Sequence, residues 1–209
     1  MKIEKVVKKD EKNVTLILEN NEKLFLSYEV FIKSGLRKND EISESRFSYM
    51  IEENQLYFLK QKAFRLLGRR QHSAYELKFK LKQKGYKNEL IDNVIDQLLE
   101  SNYLNDYDFA KSFAEENIKN KLWGKRKIEA ELIKKGINRE IISRIINEKF
   151  SDHDDIDNAL ELGKKKYKSL IGRNTDNDKI QTKLYSYLLS RGYDYDTIKR
   201  TIDLIINQK

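Results

Sequence analysis

One pattern is written three times along this chain, and it limits the possible folds more than any other feature. Leu77 and Leu81 precede Gly85, which is followed by Tyr86, Ile91 and Ile95. Ile128 and Leu132 precede Gly136, followed by Ile137, Ile142 and Ile146. Leu184 and Leu188 precede Gly192, followed by Tyr193, Ile198 and Ile202. The offsets from the glycine are the same in all three copies, which lie 51 and 56 residues apart. Apolar residues four apart before the glycine and four to five apart after it fit one face of a helix on each side of a turn, so most of them are core.

The residue before each glycine is basic: Lys84, Lys135 and Arg191. A cation near the carbonyl end of a helix and a glycine free to turn left-handed are helix-stopping chemistry. Asn88, Asn138 and Asp194 follow, where short polar side chains cap the free amides of a new helix. A further amphipathic stretch precedes each pair, around 57 to 69, 106 to 121 and 153 to 171. Asp106 is placed to cap the second of these, and Ser73 with Glu76 has the spacing of a capping box. The expected fold is mainly α: three tandem three-helix bundles, helix-turn-helix-like, in an elongated array. The divisions fall at 56–105, 106–151 and 152–209.

Residues 1–55 read differently. Runs at 2–8, 14–19 and 23–28 are rich in Val, Ile, Leu and Phe and are separated by polar turns. They predict a small antiparallel β meander. Three strands are marginal alone, so the meander is expected to pack on the adjoining segment, from Val30 to Tyr49.

Charge is distributed as unevenly as structure. Of the net +8, residues 1–55 contribute 10 basic against 11 acidic side chains, so the whole excess lies beyond them. Such a balance favours a polyanionic partner. Hydrophobic residues make up 39% and charged residues 36%, which suits small modules with much surface. The absence of cysteine removes disulfide and thiolate chemistry. No stretch approaches the roughly 20 apolar residues of a membrane span, and the N-terminus lacks the apolar run of a signal peptide. A soluble cytoplasmic protein is expected, with no membrane partner.

Catalytic groups are scarce. The two histidines, His72 and His153, are far apart, and Ser73 beside His72 is better explained as a helix cap than as a nucleophile. Gly163 with Lys164, Lys165 and Lys166 lacks the upstream glycine of a phosphate loop, and Asp152, Asp154, Asp155 and Asp157 lack the alternating spacing of a calcium loop. The expectation is a non-enzyme with no metal and no cofactor.

The basic excess gathers in three segments, one per repeat. Arg69, Arg70, Lys78 and Lys82 stand in the first, Lys125, Arg126 and Lys127 in the second, and Lys164, Lys165, Lys166, Lys168 and Arg173 in the third. These twelve are the expected contacts to nucleic acid or to an acidic protein surface. With Leu77 and Leu81 facing the core, Lys78 and Lys82 turn outward beside Tyr75 and Phe79, a basic and aromatic mixture suited to single strands. Reading of duplex DNA by the last helix of the first unit is disfavoured, because Glu89, Asp92, Asp96 and Glu100 would meet phosphates there.

The stretch Ala63, Phe64, Arg65, Leu66, Leu67, Arg69, Arg70, Ser73, Glu76, Leu77, Leu81, Lys84, Gly85 resembles the most recognisable block of the RecX family. Tyr103, Leu104, Asn105, Asp106, Phe109 and Ala110 resemble its link into a second repeat, and Gly124, Ile128, Glu131, Leu132, Lys135, Gly136 and Ile137 resemble that repeat. The likeness covers about 56–209 and leaves the strand-rich segment outside the family block. It implies a modulator of RecA recombinase that lies along filaments on single-stranded DNA, contacts RecA and DNA, and restrains recombinase activity or destabilises the filament; a monomer is expected. The family supplies no catalytic residues. The alternative is a helical nucleic-acid-binding protein, a transcription or RNA-associated factor, that acts without RecA.

Overall fold

The computed structural model of the chain describes residues 1–150, 152–172 and 177–206, the side chains at 152–154 and 177–178 excepted. Among these residues are three strands, β1 (Ile3–Lys8), β2 (Asn13–Leu18) and β3 (Lys23–Ser27). Ten helices come after them: α1 (Tyr28–Ser34), α2 (Glu44–Leu67), α3 (Ala74–Lys82), α4 (Asn88–Glu100), α5 (Asp106–Lys121), α6 (Lys125–Lys134), α7 (Arg139–Lys149), α8 (Asp152–Ile171), α9 (Asn177–Ser190) and α10 (Tyr195–Ile206). The mainly α architecture and the small antiparallel sheet are as the sequence predicts. The chain divides into two compact units, Met1–Gln71 with Leu77–Tyr103, and His72–Glu76 with Leu104–Lys209, so the division runs through α3.

In the first unit the sheet has the order β1-β2-β3, a meander with antiparallel neighbours. Alternation along β2 buries Val14, Leu16 and Leu18, which pack with Ile3, Leu24 and Leu26. Leu36, Ile42 and Met50 close that core, with Val30, Phe31 and Phe47 packed on its edge, so the segment after the strands does cover the sheet. The helix expected from about 57 starts much earlier. Ser43 caps it through a bond from the Arg46 amide, and α2 runs 24 residues without a break. Its first half gives Met50 to the sheet core, and its second half buries Leu59 and Ala63. The apolar faces of α3 and α4 bury Leu77, Leu81, Ile91, Val94, Ile95 and Leu98. Lys60 Nζ donates to Gln97 Oε1 across α2 and α4 at 3.1 Å.

In the second unit α5, α6 and α7 share a core of Phe109, Ala110, Ala114, Ile128, Leu132, Ile142, Ile145 and Ile146. Helices α8, α9 and α10 bury Ala159, Leu162, Leu170, Leu184, Leu188 and Ile198. Gly163 is buried between α8 and α10; a methyl group there would come within 2.5 Å of Ile205 Cδ1. Its use is close helix packing.

All three turn glycines have the left-handed backbone that the pattern implies: φ is +82° at Gly85, +73° at Gly136 and +95° at Gly192. Two of them do more than turn. The first turn of α3 sits on the Gly136 turn, where an added Cβ would lie 2.4 Å from Tyr75 Cβ. The start of α6 sits on the Gly192 turn in the same way, with Lys127 N only 2.2 Å from the position of such a Cβ. At Gly85 an added Cβ meets nothing within 4 Å. Around the second of these joints Tyr193 is buried, and its hydroxyl donates to the carbonyl of Leu122 at 2.7 Å. Burial pushes the Tyr193 phenol well above its ordinary pKa.

The caps differ in detail from the sequence reading. Asn138 accepts the Glu140 amide and Asp194 the Thr197 amide, as placed. Asn88 lies inside α4, whose N-cap is Lys87 with no side-chain bond, because Asn88 stands three residues after its turn glycine, whereas Asn138 and Asp194 stand two after theirs. Asp106 does not cap its own helix. Asn105 does so, accepting from Tyr107 and Asp108, while Asp106 reaches out to accept the Ala74 amide at the start of α3 at 2.8 Å. The extended backbone at Asn105 puts its short amide over the free N–H groups.

Candidate nucleic-acid interface

Of the twelve basic residues expected as contacts, eleven lie on or just after α2, α3, α6 and α8. Arg69 and Arg70 come after the end of α2 and are exposed; Arg70 donates to the Gln71 carbonyl. Lys82 is exposed at the end of α3, on a helix whose Phe79 is 54% exposed. Lys78 also points outward but forms an ion pair with Asp92 of α4. The acids that argue against duplex reading therefore take one expected contact partly out of play. Such a half-exposed pair is weak, so an incoming phosphate can compete for it.

Lys125 and Arg126 are exposed at the start of α6. Lys127 is turned inward: it pairs with Glu131 at 3.3 Å and lies 5.5 Å from the centre of the Trp123 ring. Lys121 Nζ approaches the same ring at 4.5 Å. The indole is partly buried against Phe113, so these cations gather at its remaining surface. On α8, Lys164 and Lys168 are exposed one turn apart, Lys165 pairs with Glu161 at 2.6 Å, and Lys166 lies 5.2 Å from the Tyr187 ring. Arg173 lies outside the described residues.

A basic cleft in the first unit joins part of the linear basic segment at 69–84 to cations of α2 that lie outside it. It encloses about 360 Å³ and is lined by Lys62, Arg65, Leu66 and Arg69 of α2 and its end, and by Lys80, Gln83 and Lys84 at the end of α3. Of these, only Arg69 is among the twelve expected contacts. Lys62 and Arg65, three apart, share a face of α2, and Arg69 follows just past its end. Helical spacing combined with the α2–α3 hairpin is the signal that finds them.

Catalytic chemistry gains nothing from the geometry at His72 and Ser73. Both are buried, and Ser73 Oγ donates to the Lys135 carbonyl at 2.7 Å while accepting the Glu76 amide at 3.1 Å. The side chains of His153, Asp152 and Asp154 lie outside the described residues. Among the described residues no cluster of three or more His, Cys, Asp or Glu side chains is placed to hold a metal, and no helix is long and apolar enough to cross a membrane.

Similarity to known proteins has the same three-part division. Residues 60–98 match the model of the first three-helix domain of RecX, 105–144 the second and 153–202 the third. Proteins named Regulatory protein RecX are similar along almost their whole length. One from Clostridium tetani is 31% identical, covering 96% of this chain and 92% of its own. One from Clostridium botulinum is 29% identical, covering 97% and 94%. These matches take in the strand-rich segment, which extends the likeness beyond the block read from the sequence. A crystal structure of regulatory protein RecX shares the fold with a TM-score of 0.79 at 20% identity, covering 97% of this chain and 98% of that one. A second, of RecX from Lactobacillus salivarius, gives 0.63 at 21% identity, covering 72% and 96%. With three family domains in order and relatives aligned along nearly the full length, this chain belongs to the RecX family of regulatory proteins.

Proposed function

We propose that the chain regulates DNA recombination and repair by binding RecA filaments assembled on single-stranded DNA and restraining the recombinase. It acts as a cytoplasmic monomer, by binding alone, without a cofactor and without catalysis. The observation that carries this reading is the exposure of Arg69, Arg70, Lys82, Lys125, Arg126, Lys164 and Lys168 on the ends and outer faces of the helices. Exposed cations repeated in each described module suit a partner that presents negative charge again and again, as a nucleoprotein filament does. The division at 1–55, 56–105, 106–151 and 152–209 belongs to the same reading, with one basic segment for each helical module.

The experiment is a pull-down of the cognate RecA together with a filament-disassembly assay. Capture of RecA and faster loss of filaments are expected. Should RecA ignore the protein while naked nucleic acid still binds, a helical nucleic-acid-binding factor independent of RecA becomes the better reading. Reversal of Lys78, Lys82, Lys125 and Arg126 to Glu is expected to weaken binding to strands or filaments with the fold intact. Unchanged affinity and salt slope would remove those four from the interface.

A further inference from the structure

We propose that the cleft between the C-terminal parts of α2 and α3 is a phosphate-binding site for a single strand, with Phe79 at its side stacking a base. This deepens the reading above and rests on its single-strand partner.

The cleft holds Lys62, Arg65, Arg69, Lys80 and Lys84, with no carboxylate in its lining. Lysines and arginines often gather at helix C-termini simply to offset the carbonyl dipoles. Here that explanation is too small. Two helix ends carry about half a negative charge each, about one in all. Among the described residues Lys62, Arg65, Arg69 and Lys84 form no ion pair. Four such cations against about one opposing charge leave roughly three uncompensated within one small cleft. Holding like charges together is costly, and an anion entering the cleft relieves it.

The lining also suits a phosphodiester better than other anions. Two guanidinium forks can each take two phosphate oxygens, and the ammonium groups add charge without geometric demand. Arg65, Arg69 and Lys84 are exposed, so the cleft opens to a long ligand rather than enclosing a small one. Phe79 stands one helical turn before Gln83 on α3 and is 54% exposed. An exposed ring one helical turn from a residue of a phosphate cleft is within reach of an unpaired base, and duplex DNA, with its bases stacked inside, does not use one. A carboxylate-rich peptide would fill the cleft but gain nothing specific from the ring.

The test measures anisotropy of a labelled oligothymidylate with the full chain over a range of salt. The Arg65→Glu, Lys84→Glu double variant is expected to lose at least about tenfold in affinity. Its slope of log affinity against log salt should fall by about 1.4, at about 0.7 for each phosphate it no longer neutralises. The milder Lys62→Gln, Lys84→Gln pair should move both quantities the same way if charge reversal disturbs folding. Phe79→Ala should weaken binding about tenfold while leaving the salt slope in place. If the wild type binds and these variants match it, the cleft assignment is wrong and the single-strand reading survives. If the wild type fails to bind even at low salt, both fall together. Stronger competition from polyglutamate than from unlabelled oligothymidylate would assign the cleft to an acidic protein instead.

Discussion

Ser73 Oγ donates a hydrogen bond to the main-chain carbonyl of Lys135, 62 residues away, and the same carbonyl position in the next repeat, that of Arg191, accepts the N–H of Gly124. Ser73 and Gly124 occupy equivalent places, each just before the middle helix of its repeat. The acceptor is equivalent too, being the basic residue before the turn glycine. Only the donor changes. Gly124 has no side chain, so the two backbones approach until the amide itself reaches the carbonyl; at Ser73 a hydroxyl spans the greater separation. The joints are therefore variants of one solution, in which a helix start sits on a glycine turn.

That relationship separates three glycines that the sequence pattern treats as equal. Gly85→Ala should cost only the left-handed backbone strain, about 1–2 kcal/mol. Gly136→Ala and Gly192→Ala should cost the same strain plus displacement of the helix start packed on them, about 3 kcal/mol or more. Urea unfolding of the three variants measures this directly. Equal losses at all three would mean that the joints give way without resistance.

Lys135 Nζ reaches Glu76 Oε1 at 2.7 Å and lies 4.9 Å from the centre of the Phe113 ring, with the two charged side chains only 22% and 17% exposed. Glu76→Gln should destabilise the second unit by about 2 kcal/mol, because it leaves a half-buried ammonium without its counter-charge. The loss should persist in high salt, which screens exposed pairs but reaches this one poorly. A loss that salt erases would mark the pair as a surface contact.

Asp106 is half-buried, and that burial raises its pKa above the ordinary 3.8 in spite of the bond it accepts from the Ala74 amide. A carboxyl with a raised folded pKa favours the folded state most while protonated. Its contribution is therefore full below the unfolded value and is lost as pH rises through the folded one. Asp106→Asn can keep the bond to Ala74 without a charge, so its stability relative to wild type should improve from about pH 4 to about pH 7. Paired denaturation curves across that range check it. A constant difference would show that Asp106 titrates alike in both states.

The apolar pairs and turn glycines suffice to predict the helices and turns around Gly85, Gly136 and Gly192, because periodicity and a helix stop are local properties. What each glycine touches is not local, and Tyr75 against Gly136 cannot be read from spacing. The long start of α2 escapes because the segment up to Tyr49 reads as cover for the sheet, which Phe47 is, without revealing that Phe47 is helical and continuous through Met50 with Leu59. Asp106 has the right type and place for a cap but acts on the helix beside it, since Asn105 lies nearer its own. Charge behaves similarly. A linear window finds Lys164 and Lys165 as neighbours, yet it separates Lys62 from Lys84, which fold into one cleft.

The unbroken run of α2 bears on how this molecule is cut and how it comes apart. Met50 is locked under the strands and Leu59 among the helices of the first bundle, with a little over two turns between them. Removing the strands at residue 55 would sever a helix in mid-course, discard the Ser43 cap and leave raw amides at the new end. Hydrogen exchange should accordingly protect residues from both sides of that point with one shared free energy, since neither side can melt without unwinding the rod they have in common.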